Sequence, residues 1–183
     1  MSSRKNCSNN NHRIVISLGD PAGIGMEVTL KALGSLKYPE NIYPILVGCR
    51  KNLLIAHSVL QDKGITPLAN PNTLEIIDLP LKEEVQPGNP TAITGSASFE
   101  WLTKATQLVL EGQAKALVTA PIAKYAWHKA GHKYPGQTER LAELSGIKEA
   151  SMLFTAVSPL TGWRMNTLLA TTHIPIEQIS TKL

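Results

Sequence analysis

Arg13-Ile-Val-Ile-Ser-Leu18 runs directly into Gly19-Asp-Pro-Ala-Gly-Ile-Gly25, and the reading of this junction decides the fold. The first segment is short, apolar and β-branched, the pattern of a strand buried within a parallel sheet. The glycine-rich stretch then turns the chain sharply, and a helical segment runs from about Glu27 to Leu36. Outward from this unit the alternation repeats. Asn41 to Gly48 reads as a second strand, Lys51 to Lys63 as a helix stopped by Gly64, and Leu74 to Leu79 as a third strand closed by Pro80. Residues 80 to 94, with three prolines and Gly88, read as a long loop or hairpin. Gly95 to Gly112 is a helix whose Ala97, Trp101, Ala105, Leu108 and Val109 keep one face apolar, with Gly112 as its C-cap candidate. Lys115 to Pro121 is a fourth strand ending in a turn. A helix through Ala126 ends at Gly131, and another spans Thr138 to Leu144 and stops at Gly146. Met152–Ala156 and Trp163–Ala170 read as two more strands, the second buried and apolar; Ile176, Ile179 and Leu183 begin a helical face. Strands alternating with helices predict an α/β layered fold with a largely parallel sheet.

Composition narrows the class. Hydrophobic residues at 43% and charged residues at 17% describe a globular chain rather than a disordered one. The net charge of +4 is mild, and Arg4, Lys5 and Arg13 concentrate much of it at the start. No basic stripe with interleaved aromatics follows, so nucleic acid is not an expected partner. Cys7 and Cys49 offer neither metal spacing nor a disulfide framework, which fits a reducing compartment and makes the cytoplasm the expected location. Residues 1–12 form a polar, Asn-rich tail with no secretory-signal character. No apolar run approaches the roughly twenty residues of a membrane-spanning helix, so no membrane association is expected. The expected organisation is a tail over 1–12, a first α/β domain over 13–120 and an incomplete second α/β domain over 121–183.

Four stretches carry chemistry, and each has a plainer reading. The glycine stretch at 19–25 lies between strand and helix, where exposed amides favour anions; it is neither a Walker A loop nor a dinucleotide fingerprint, and a tight βα turn would need the same residues. Lys124 follows the carboxyl end of the fourth strand, the edge where α/β sheets bind ligands, although surface lysines are commonly just solvated. Gln137 and Thr138 enter a helix after Pro135-Gly136. Thr138 serves either as an N-cap or, with Gln137, as a donor to an oxyanion or phosphate. His173 stands at a strand end beside Thr171 and Thr172, as a metal ligand or as a hydrogen-bonded turn residue. His128 and His132, four apart, have helical metal spacing, but Gly131 intervenes and both read as solvent-facing.

Taken together, Gly19-Asp-Pro-Ala-Gly-Ile-Gly25, Val118-Thr-Ala-Pro-Ile-Ala-Lys124, Ala130-Gly131 with Pro135-Gly-Gln-Thr-Glu139, and Leu169-Ala-Thr-Thr-His-Ile-Pro175 resemble the 4-hydroxythreonine-4-phosphate dehydrogenase family of vitamin B6 biosynthesis. Order and separation also match, over nearly all of the chain from Arg13 on. The resemblance implies a two-domain fold like that of isocitrate and isopropylmalate dehydrogenases and an obligate homodimer. It implies oxidation of a small phosphorylated substrate, 4-phosphooxy-L-threonine, by NAD or NADP, with decarboxylation to 3-amino-2-oxopropyl phosphate. It also implies a divalent cation (zinc, magnesium or cobalt) held by three histidines. By position, Gln137 and Thr138 match the substrate-contacting pair and His173 the first metal ligand. No catalytic or cofactor-binding residue is assigned. Gln137 stands where the family usually has His, Met26 where many members have Pro, and Ala123 where many have Asn or His. The chain stops ten residues beyond His173, before the positions of the other two metal histidines, so this reading expects an open metal cage and no turnover by this chain alone. A paralogous dehydrogenase of another phosphorylated four-carbon hydroxy acid, a non-catalytic interaction remnant and a generic phosphate-binding module are the alternatives.

Overall fold

The apolar run at Ile14–Ile16 becomes the inner strand of a four-stranded sheet. The computed structural model describes residues 12–35, 41–148, 150–171 and 174–182. β1 (Arg13–Ser17), β2 (Tyr43–Gly48), β3 (Glu75–Asp78) and β4 (Ala116–Thr119) are all parallel and lie in the order β3-β2-β1-β4. Val15 and Ser17 are buried on one face of β1, while Leu46 and Val47 anchor β2. The parallel sheet expected from the alternation is therefore present.

Three helices cover it. α1 (Gly25–Ser35) and α2 (Arg50–Asp62) pack against each other, whereas α3 (Ala92–Leu110) packs on β1, β2 and β4. The chain steps from β1 to β2 to β3 in one direction, then crosses back to the far side of β1 for β4. Right-handed crossovers put the third helix on the opposite face from the first two. The order thus reverses between β1 and β4, and that crevice at the strand carboxyl ends is where open α/β sheets place ligands.

α3 starts three residues earlier than its apolar periodicity suggests, because Thr91 and Thr94 form a capping box. Thr91 Oγ1 accepts from the Thr94 amide, and Thr94 Oγ1 accepts from the Thr91 amide. At the other end Gly112 has a φ of 73° and its amide donates to the Val109 carbonyl, the expected glycine termination. Trp101, Leu102 and Ala105 are at most 1% exposed. α4 (Lys124–Lys129) lies so close to α3 that a Cβ on Gly95 would sit 2.1 Å from the Ala126 carbonyl oxygen. The buried Trp127 secures the pair, its Nε1–H donating to Ser98 Oγ at 2.8 Å. α5 (Gln137–Leu144) also packs on α3.

Of the two readings of residues 80–94, loop or hairpin, the structure shows the loop; it runs into the start of α3, and the Gly88 amide donates to the Ala22 carbonyl. One expectation is corrected. The last two strands do not join the parallel sheet. β5 (Leu153–Val157) and β6 (Arg164–Leu168) pair antiparallel with each other, about a turn closed by the Gly162 amide on the Ser158 carbonyl. Every residue of both strands is exposed, so β6 is not the buried strand that its apolar composition suggests. A six-residue connection suits a hairpin and is too short for a crossover to a parallel neighbour. Beyond it, Ile176–Gln178 makes a 3₁₀ turn that leads into α6 (Ile179–Lys182). Cys7, His173 and Leu183 lie outside the described residues.

Candidate functional site

The glycine stretch is built first by close packing. Gly19 has a φ of 71°, and a Cβ there would fall 2.3 Å from the Pro121 carbonyl oxygen; one on Gly25 would fall 2.1 Å from that of Leu18. Only glycine fits at either position. Three of the turn's amides are already bonded. Asp20 N–H donates to the Pro121 carbonyl at 2.9 Å, Ala22 N–H to Asp20 Oδ1 at 2.7 Å, and Gly23 N–H to the Asp20 carbonyl at 2.9 Å. Through these bonds and its close packing, this stretch acts as a tight βα turn that locks the β1 and β4 loops together. Asp20 is the buried pin of that lock, and its Oδ2 also accepts from Thr94 Oγ1 at 3.4 Å. Burial raises its carboxyl above the usual carboxylate value, and the bonds from Ala22 and Thr94 offset part of that rise.

Beside the lock, on the β4 side, lies a cleft of about 340 Å³ lined by Pro121, Ile122, Lys124, Gly136, Gln137, Thr138, Glu139 and Met152. It gathers the two sequence-foreseen substrate contacts, Gln137 and Thr138, with Lys124. The Lys124 ammonium lies against Gly136, where an added Cβ would make ordinary contacts, 3.6 Å from Lys124 Nζ and 3.4 Å from Glu139 Oε2. Thr138 is not the N-cap. That position is held by Gly136 in extended backbone without any side-chain cap bond, so Thr138 sits two positions further into the helix than the cap. The first turn of α5 therefore lacks a side-chain cap, and its orphan amides are left to other acceptors. Gln137 Nε2 donates to the Ala120 carbonyl at 3.4 Å, tying α5 to the end of β4, while its Oε1 is buried with no protein partner. A buried acceptor without a donor is costly to keep, and a bound ligand's N–H or O–H would satisfy it.

His128 and His132 do not form a pair. His128 is exposed, with Nε2 3.1 Å from the Tyr134 carbonyl oxygen. His132 is not simply solvent-facing, because its ring stacks on Phe99 at 3.7 Å with the planes 3° apart. Burial, then the Arg140 guanidinium, hold its pKa below the ordinary imidazole value. No residue pattern in the sequence signals this contact, since Phe99 and His132 come from separate elements. Among the described residues no three His, Cys, Asp or Glu side chains converge to hold a metal ion, and His173 lies outside them. The described residues alone do not fit a metal centre. A larger cleft of about 600 Å³ between α2 and the loop at 80–87 is lined by Ile55, Val59, Leu81 and Val85 among others; it contains none of the foreseen substrate or metal residues.

The chain matches the family described as pyridoxal phosphate biosynthetic protein PdxA over residues 40–183. It is 58% identical over 171 residues to 4-hydroxythreonine-4-phosphate dehydrogenase from Synechococcus sp. (strain RCC307), covering 93% of this chain and 51% of that relative. It is 36% identical to a protein named putative D-threonate 4-phosphate dehydrogenase from Oceanobacillus iheyensis, covering 90% of this chain and 51% of that one. Among solved structures, a 4-hydroxythreonine-4-phosphate dehydrogenase from Burkholderia phymatum superposes with a TM-score of 0.75 at 33% identity, over 92% of this chain and 52% of that one. A putative one from Salmonella typhimurium gives 0.74 at 30% identity, over 94% and 55%. The chain thus spans about half the length of the curated relatives it matches.

Proposed function

This chain belongs to the PdxA family of pyridoxal phosphate biosynthesis, and from that membership we propose that it forms the substrate-contacting part of a dehydrogenase acting on 4-phosphooxy-L-threonine. The observation that carries the reading is the cleft at the start of α5. There the ammonium of Lys124, the Thr138 side chain, an uncapped helix start and the unpartnered Gln137 Oε1 are gathered beside the carboxyl end of β4. An oxyanion of the substrate, phosphate or carboxylate, accepts from Thr138 and the helix amides and is neutralised by Lys124. Gln137 Oε1 accepts from a substrate N–H or O–H. An amide in this position holds and orients but neither carries charge nor transfers a proton, so the binding contribution of Gln137 is independent of pH near neutrality. A nicotinamide cofactor, NAD or NADP, supplies the hydride acceptor when bound, and no residue is assigned to it.

The wider reading includes a division near residue 120, a second α/β domain of the isocitrate dehydrogenase kind and a cytoplasmic homodimer. Support for a covering partner comes from the β5–β6 hairpin, where Leu153, Phe154, Val157, Leu160, Trp163 and Leu168 are each more than half exposed. Among the described residues no helix is long and apolar enough to cross a membrane.

Calorimetric titration of the protein with 4-phosphooxy-L-threonine tests the proposal. Binding is expected, absent with L-threonine, and weakened about tenfold by Gln137→Ala or Thr138→Ala, the scale of one lost hydrogen bond. Unchanged affinity in both variants would refute it. The similarity to the protein named for D-threonate 4-phosphate favours one second reading, a paralogue acting on a phosphorylated hydroxy acid. Tighter binding of D-threonate 4-phosphate than of the amino acid would select it.

A further inference from the structure

α5 has little apolar surface to hold it in place: of its eight residues only Ala142 is buried. What ties it to α3 is Arg140. Its guanidinium carbon lies 4.5 Å from the Phe99 ring centroid, Nη2 donates to Thr103 Oγ1 at 3.2 Å, and Nη1 donates to Glu143 Oε2 at 2.5 Å and to the Tyr134 hydroxyl at 3.3 Å. Tyr134 in turn donates to Glu143 at 2.6 Å, and His132 stacks on Phe99. One side chain thus joins α3, the segment before α5 and α5 itself. Guanidinium chemistry suits this task, since its planar fork stacks and donates in several directions at once while an ammonium cannot.

Arg140 also lies one helical turn after Gln137, so the two share a face. Arg140 Nε is buried without an acceptor, and Gln137 Oε1 is buried without a donor. One orphan is a donor and the other an acceptor, and both belong to the same helix.

We infer that Arg140 is a positioning residue for Gln137, fixing α5 on Phe99 and orienting the Gln137 amide toward the cleft. The inference rests on the proposed role of that cleft only in its ligand arm. A purely structural anchor would loosen the whole fold when removed; a positioning residue loosens α5 and acts on ligand through Gln137.

The test compares the wild-type protein with Arg140→Gln and Arg140→Lys. By amide hydrogen exchange, the second half of α5 and Ser145–Ile147 should exchange about tenfold faster in Arg140→Gln, with protection in β1 unchanged. Arg140→Lys keeps the charge without the fork and should loosen the same segment to a lesser degree. Unchanged exchange in α5, or an equal rise in β1, overturns the inference. Should Arg140→Gln fail to fold, Arg140→Lys decides by the same criterion. In the second arm, Arg140→Gln should weaken 4-phosphooxy-L-threonine about fivefold or more, and this loss should vanish when Gln137 is already Ala. Equal weakening in both backgrounds also overturns it. Absence of ligand binding by the wild-type protein would count against the substrate assignment, and the exchange arm alone would then decide the role of Arg140.

Discussion

The β1–β4 sheet and the β5–β6 hairpin are written in similar residues and meet opposite fates. Ile14–Ile16 and Pro44–Val47 enter a sheet between helices, with Val15, Leu46 and Val47 fully buried. Leu153-Phe154 and Met165 enter a ribbon whose every residue is exposed. Apolar, strand-forming residues specify extended backbone in both places, but burial depends on neighbours that the sheet finds within the chain and the hairpin does not. The site lies between these regions, on helices anchored to the sheet.

The sharpest way to break that contrast is to delete one tryptophan from each region. Trp101→Ala, at a side chain 1% exposed, should cost about 3–5 kcal/mol, whereas Trp163→Ala, at 65% exposed, should change stability by less than about 0.5 kcal/mol. Denaturant unfolding measures both, and equal losses would remove the distinction.

A glycine pair sharpens it further. Gly19 and Gly162 share a φ of 71°, but only Gly19 has backbone where a Cβ would go. Gly162→Ala should cost about 1–2 kcal/mol for the conformation alone, and Gly19→Ala measurably more. If the two cost the same, the close packing of the β1 and β4 loops carries no energetic weight.

A smaller effect appears in pH. Asp20 has a folded-state pKa raised above its ordinary 3.8, so between that value and the folded pKa the native state holds a proton that the unfolded chain has released. Stability therefore falls as pH rises through this window. Asp20→Asn should abolish that part of the slope in unfolding experiments run from about pH 4 to 7. His132 has the opposite sign. Its folded pKa is lowered, so its contribution is lost as pH falls from 6.5 through the folded value, and His132→Phe should flatten that limb.

Stability should respond least of all to charge on the hairpin. Phe154→Lys with Leu160→Lys should leave the melting temperature within about 2 °C of wild type and reduce self-association in sedimentation. Unaltered association would argue against a covering copy on this face.

Much of the sheet is legible in the sequence, because a buried parallel strand declares itself by a short β-branched run closed by Gly or Pro. The same signal at β6 is misleading: it reports extended backbone and says nothing of a partner. Gln137 and Thr138, the pair proposed from the motif to contact substrate, lie in one cleft, but the unfilled cap at Gly136 is invisible to a propensity argument that favours Thr138 as the cap. Lys124 reads as a solvated lysine until the fold sets it beside Gly136, Gln137 and Thr138. The Phe99–His132–Arg140 stack joins residues up to 41 positions apart with no shared periodicity, so no local pattern carries it. The glycine turn shows the converse, since what looks like an anion loop in sequence is packed on Pro121 and Leu18, with Asp20 and Pro121 taking three of its amides.

Amide chemical-shift mapping of 4-phosphooxy-L-threonine titrated into this protein tests the proposed cleft most directly. Saturable shifts confined to residues 120–124 and 136–140, with the Gln137 side-chain amide among the most affected, are the predicted result. Shifts centred instead on the α2 cleft near Ile55 and Val59, with α5 silent, would contradict it.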